Sequence, residues 1–124
     1  MASKRVVLLV DDHTDIHDMF RQAAARLSLE LVTAEDGQEG LDQAKAMLPA
    51  LMVIRRDVPI LNAQSVSVLL KQSPDTEKIP VMVICSRLSE EDQESFRDAG
   101  CNDCIKEPLD EDKIVAKLKE WLKL

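Results

Sequence analysis

Leu51-Met52-Val53-Ile54-Arg55-Arg56-Asp57-Val58-Pro59 is the stretch that decides the fold. Four apolar residues run together, three charges follow, and a proline comes soon after. An apolar run without polar alternation suits a strand covered on both faces, as in the middle of a parallel sheet flanked by helices. The charges begin where such a strand would leave the sheet. In open α/β sheets ligand chemistry sits beyond the carboxyl ends of the strands, so Arg55 and its neighbours stand where a site is expected.

The same pattern recurs along the chain. Val6-Val7-Leu8-Leu9-Val10 is a β-branched and leucine run that stops at Asp11-Asp12. Thr14 is a candidate helix cap, and Ile16, Met19, Phe20, Ala23 and Leu27 recur at helical spacing. A second strand is expected over Leu29–Ala34, then a turn at Asp36-Gly37, then a helix marked by Leu41, Ala44 and Leu48 and ended by Pro49. Val66, Leu69 and Leu70 mark a third helix, which stops near Ser73-Pro74. Pro80 opens a buried strand, Val81–Cys85, followed by Ser86. Ser89–Ala99 reads as a helix with acids in its first turn and Gly100 as its C-terminal cap. Its apolar stripe is little more than Phe96 and Ala99, so this helix is expected to be loosely held. Cys101–Lys106 is expected as the fifth strand and Glu107-Pro108 as a turn, before a helix carrying Ile114, Val115, Leu118, Trp121 and Leu122.

Five β-α repeats without a linker or low-complexity segment imply one α/β domain over residues 1–124, a parallel sheet with right-handed crossovers and helices on both faces. A chain of 124 residues can bury roughly two-thirds of its unfolded surface. Acidic residues outnumber basic ones 23 to 16, and the net charge of -7 argues against a nucleic-acid surface. Aromatic residues are nearly absent, so base stacking is not available either. No apolar run reaches membrane-spanning length and no export signal precedes the first strand, which makes the cytoplasm the expected compartment. An odd cysteine count, three, fits reduced thiols.

The acid pair closing strand one, apolar strand three with its following proline, Pro80 before strand four, and Gly100 with Pro108 around strand five are spaced as in one known family. The chain resembles the receiver domain of bacterial two-component response regulators along essentially its whole length. The resemblance implies a flavodoxin-like doubly wound sandwich with strand order 2-1-3-4-5. It also implies a mechanism. An acid pair helps hold Mg²⁺, a hard cation that takes oxygen ligands, and a carboxylate at the end of strand three accepts a phosphoryl group from a histidine kinase. A hydroxyl after strand four and a lysine after strand five bind the phosphate, and an aromatic on strand five reports the change.

Carried over by position, Asp11 and Asp12 match the acid pair. Arg55 falls at the phosphoacceptor, Cys85 at the hydroxyl, Glu107 at the lysine before Pro108, and Cys104 at the switch aromatic. Arginine has no nucleophilic oxygen and stays protonated, and its charge repels Mg²⁺. This chain is therefore expected to be a degenerate receiver, a phosphorylation-independent module for protein partners, with a histidine kinase or an output domain as candidates. No cofactor is expected. The family set and this one each hold three carboxylates and one cation, with cation and anion exchanged between strands three and five. Arg55 is expected to replace the metal by bonding to Asp11 or Asp12, with Glu107 as a further candidate, because an arginine fork suits carboxylates. The bland alternative points Arg55 into solvent. By resemblance, the working surface is the face of helix four, strand five and helix five, with Phe96, Cys104 and Pro108 as its markers.

Two rivals stand beside this reading. A displaced acceptor, Asp57 or Asp12, would require Mg²⁺ on Asp11, Asp12 and Asp57. Yet Asp57 is expected in an exposed loop, Ser86 is one place off, and Lys106 should face away from Glu107. The other rival is a thiol switch at Cys85, Cys101 or Cys104. The C-x-x-C of Cys101–Cys104 leads into a strand rather than starting a helix, and no second pair offers a zinc site. Buried inert thiols are the expectation. His13 and His17, at i and i+4, are expected to face solvent, and Glu90-Glu91-Asp92 to act as favourable charge at a helix start.

Overall fold

The computed structural model describes residues 5–124. Its elements alternate strictly. Strands β1 (Val6–Val10), β2 (Glu30–Ala34), β3 (Leu51–Arg55), β4 (Val81–Cys85) and β5 (Asp103–Lys106) are each followed by a helix. The helices are α1 (Thr14–Arg26), α2 (Gly37–Met47), α3 (Ala63–Lys71), α4 (Glu90–Asp98) and α5 (Glu111–Leu122). All strand pairs are parallel, in the order β2-β1-β3-β4-β5. This is the doubly wound α/β sheet that the resemblance implies.

Side chains alternate along each strand, and in the central strands β1, β3 and β4 both sets are buried almost throughout, whereas the edge strands β2 and β5 are mostly half-exposed. Val7, Leu9, Leu51, Val53, Met82 and Ile84 pack with Phe20 of α1 and Ile114 and Leu118 of α5. Leu8, Val10, Met52, Ile54, Val81 and Val83 pack with Leu41 of α2, Val66 and Leu70 of α3, and Phe96 of α4. Each fully buried Leu, Ile or Phe contributes about 1.5–3 kcal/mol of transfer free energy, so the uninterrupted apolar strands are the main stabilising layer. Among the described residues no helix is long and apolar enough to cross a membrane.

The boundaries correct several expectations. Asp36-Gly37 is no free turn: Asp36 is the N-cap of α2, accepting from the Glu39 amide at 2.8 Å, and Gly37 is the first helical residue. Only glycine fits there, because a Cβ would lie 1.8 Å from the Leu61 carbonyl oxygen. Thr14 does not cap α1. His13 holds that position and makes no side-chain cap bond. Leu48 turns out of the core and is 52% exposed, since it adopts the left-handed conformation that ends α2.

Strand β5 starts at Asp103 rather than Cys101. The Cys101 amide donates to the Phe96 carbonyl and the Gly100 amide to that of Arg97, so these residues close α4 instead of pairing in the sheet. Ser89 caps α4 through a reciprocal capping box with Asp92. Phe96 is 2% exposed and part of the core, so it cannot be a surface contact. It is the only buried side chain within α4, as the thin stripe implies.

Candidate functional site at the carboxyl ends of the strands

Strand register brings three sequence-distant charges together. Val10 pairs with Ile54 across β1 and β3, and Ile84 with Arg55 and Ile105 across β4. Asp11, Arg55 and Glu107 therefore emerge on one side of the sheet, the side of Leu9, Val53 and Ile105, which faces α1 and α5.

Asp11 is fully buried, and both carboxylate oxygens are engaged. Its Oδ2 accepts from Arg55 Nε at 2.9 Å, while Oδ1 accepts from the His13 amide at 2.9 Å and lies 2.8 Å from His13 Nδ1. The other edge of the guanidinium forms a fork onto Glu107, Nη1 to Oε1 at 2.8 Å and Nη2 to Oε2 at 3.2 Å. The Arg55 side chain is 13% exposed and that of Glu107 28%. Burial works against the Arg55 charge, but the bonds to Glu107 and Asp11 outweigh it and raise the guanidinium pKa. The same contact with Arg55 holds the Glu107 carboxyl below its ordinary range. Of the alternatives for Arg55, the geometry selects Asp11 together with Glu107. It does not leave Arg55 in solvent.

Asp12 is outside that cluster. It is 45% exposed and lies 3.1 Å from His13 Nδ1. The bond to Asp11 raises the His13 pKa, with burial opposing and Arg55 repelling the imidazolium. His17 corrects the expectation of a solvent-facing residue: it is 8% exposed, with Nε2 against the Asp11 carbonyl oxygen. His17 shares the buried stripe of α1 with Phe20 and Ala24, at i+3 and i+7, so the packing of the helix on the sheet carries it inward. Asp11, Asp12 and His13 each bring a donor atom within 4.8 Å of the others, the one such group among the described residues. Asp57, named with the acid pair as a metal ligand of last resort, is exposed and not in this group.

The remaining positions divide between the faces. Cys85, two residues after Val83, belongs to the opposite face from Arg55, and its neighbour there is Cys104, paired in register with Val83. Cys85 is buried, whereas Cys101 and Cys104 are half-buried, which corrects the expectation of three buried thiols. Burial raises all three thiol pKa values, that of Cys104 to about 12 with help from repulsion by Cys85. Ser86 and Pro108 are exposed, as is Lys106. The Glu107–Pro108 peptide bond is cis.

Sequence reading missed the role of Arg56. On the face opposite Arg55, it binds the Asp92 carboxylate with Nη2 at 2.7 Å and Nη1 at 3.1 Å and lies 5.3 Å from the Phe96 ring centroid. The double arginine of the opening stretch is the only local signal for it.

The chain matches the response regulator receiver domain over residues 7–119 and belongs to that family. It is 30% identical over 117 residues to the transcriptional regulatory protein PrrA of Mycobacterium tuberculosis, covering 94% of this chain but only 49% of PrrA. The chain thus spans about half the length of that relative. It is 25% identical to the polar-differentiation response regulator DivK of Brucella anthropi, with 94% of both chains covered. The fold matches the chemotaxis response regulator CheY4 of Vibrio cholerae with a TM-score of 0.89 at 18% identity, covering 96% of this chain and 99% of that one. The receiver domain of the sensor histidine kinase PA1611 from Pseudomonas aeruginosa, with a magnesium ion coordinated in its active site cleft, matches with a TM-score of 0.86 at 17% identity over 98% of this chain and 100% of that one. The protein is a response regulator receiver domain of two-component signalling, a signalling module.

Proposed function

We propose that this receiver domain is degenerate at its phosphorylation site and acts as a phosphorylation-independent protein-interaction module, not as an enzyme. One observation carries the reading: the Arg55 guanidinium bridges Asp11 and Glu107 at the end of β3. Guanidinium nitrogen is no phosphoryl acceptor at neutral pH, because the group stays protonated.

The donors present do not fit Mg²⁺. Both Asp11 oxygens already accept bonds, and a cation bound there would meet the fixed charge of Arg55 a few ångströms away. Asp12 remains partly free but offers one carboxylate beside His13, fewer oxygen ligands than Mg²⁺ takes from a protein and its phosphate together. The function is therefore derived without a metal step. A displaced acceptor at Asp57 or Asp12 would need that metal. A thiol switch is disfavoured because the raised pKa values leave the cysteines protonated near neutrality, and the thiolate is the reacting form.

Receiver domains meet histidine kinases and output domains, and a protein of one of these kinds is the partner this reading assigns, in the cytoplasm, to residues 1–124 acting as one unit. The docking face is that of α4, β5 and α5, marked by Cys104 and Pro108. Intact mass after incubation with Mg²⁺ and acetyl phosphate tests the proposal. The expected outcome is an unchanged mass. A hydroxylamine-sensitive phosphoryl adduct, as an acyl phosphate is, lost in Asp57→Ala or Asp12→Ala would return the chain to the ordinary phosphorelay class.

A further inference from the structure

Helix α4 has little of its own to hold it. Phe96 is its only buried side chain, and the remaining residues of Glu90–Asp98 are exposed or half-exposed. A single buried phenylalanine gives a nine-residue helix only one apolar anchor against the backbone entropy of ordering it. A further tether is needed, and Arg56 supplies it. Its fork binds both oxygens of Asp92, at 2.7 and 3.1 Å, Nη1 reaches the Arg87 carbonyl at 3.4 Å, and the guanidinium lies over the Phe96 ring. These contacts link the segment before α4, its first turn and its buried anchor to one side chain. Arginine suits this because a planar fork can bind a carboxylate at its edge while its face covers an aromatic ring. Asp92 is also the capping-box residue of α4, so the arginine holds the cap in its bonded geometry. The one further polar link on this side is Gln64 Nε2 to Ser95 Oγ at 3.0 Å.

We propose that Arg56 is the positioning residue that seats α4, and with it one wall of a groove between α4 and β5. That groove is about 290 Å³ and is lined by Phe96, Arg97, Cys101, Asp103 and Cys104 among others. Its shape follows from where Phe96 sits, and Phe96 sits under Arg56. The seat is built into the sequence at the residue after Arg55 and requires no ligand. It belongs to the face proposed above for docking, but its side-chain bonds are separate from those of the Asp11–Arg55–Glu107 cluster. A phosphoryl adduct would overturn the functional reading and leave this inference intact.

Hydrogen exchange of the full chain, followed by mass spectrometry, tests it on the natural protein, Arg56→Ala and Arg56→Lys. In Arg56→Ala the amides of residues 93–99 should exchange about tenfold faster, while those of β1 and α1 keep their rates, because α4 opens as a local unit. Arg56→Lys should fall between the two, keeping the charge but losing the fork. Alkylation of Cys104 by iodoacetamide should accelerate in parallel as the groove opens. Equal protection of α4 in all three proteins, or a uniform loss across the chain, would overturn the proposal. Should Arg56→Ala fail to fold, the comparison of Arg56→Lys with the natural protein decides it by the same two readouts.

Discussion

Arg55 and Arg56 are consecutive, chemically identical, and serve opposite faces of the sheet. Arg55 turns to the side of α1 and α5 and lies between Asp11 and Glu107, ligands drawn from the ends of β1 and β5. Arg56 turns to the side of α3 and α4 and takes Asp92 at its edge and Phe96 under its plane. The first cluster contains a carboxylate at 0% exposure, Asp11, whose charge is costly to leave unpaired. The second has no fully buried member, Arg56 being 30% and Asp92 23% exposed, so its ion pair is worth less to global stability and acts on the placement of one helix. Burial, not the identity of the residue, separates a stabilising core charge from a local tether.

The strongest way to break this contrast is Arg55→Ala. It would leave the buried Asp11 carboxylate without its cation and should cost about 3–5 kcal/mol in urea denaturation at neutral pH. A loss under about 1 kcal/mol would place Arg55 with the surface pairs instead.

Acid titration sharpens the same point. The Glu107 pKa is depressed by Arg55, so its contribution to stability is fully present above its ordinary value near 4.5 and is lost as pH falls through the lower folded value. Glu107→Gln lacks this term. Melting curves of Glu107→Gln and the natural protein should therefore differ most above about pH 4.5 and converge in stronger acid. Parallel curves across the whole range would show that Glu107 does not feel Arg55.

On the Arg56 side the effects are smaller. Ser89→Ala removes the oxygen that accepts from the Asp92 amide at 3.1 Å and should cost about 1 kcal/mol by urea denaturation, the usual cost of losing an N-cap. An unchanged midpoint would mean that α4 does not depend on its cap. The smallest effect is expected for Asp57→Ala, within about 0.5 kcal/mol, because its side chain is exposed. A larger change would reveal a role for Asp57 that its surroundings do not suggest.

Much of this was legible beforehand. Continuous apolar runs such as Val6–Val10 and Val81–Cys85 read as strands because burial on both faces leaves no reason for alternation. The complementarity of Arg55 with the acids followed from charge conservation between the ends of strands three and five. Other residues misled for definite reasons. Asp36-Gly37 has turn composition, but close approach of the Leu61 carbonyl demands a glycine in the first turn of α2. Cys101 resembles a strand start, yet its amide is committed to the Phe96 carbonyl. Phe96 looked like a docking residue because α4 has so little else that is apolar, and for the same reason the fold buries it.

The sequence by itself determined the order of five strands and five helices, the covering of both sheet faces, and the presence of an arginine at the end of strand three. These depend on periodicity and residue chemistry, which are local. Only the tertiary structure decided that Arg55 selects Asp11 and Glu107 over Asp12, that His17 is buried, and that Arg56 holds α4. Those outcomes depend on strand register and on which face each side chain leaves, and a shift of one residue in a strand sends every side chain to the other side.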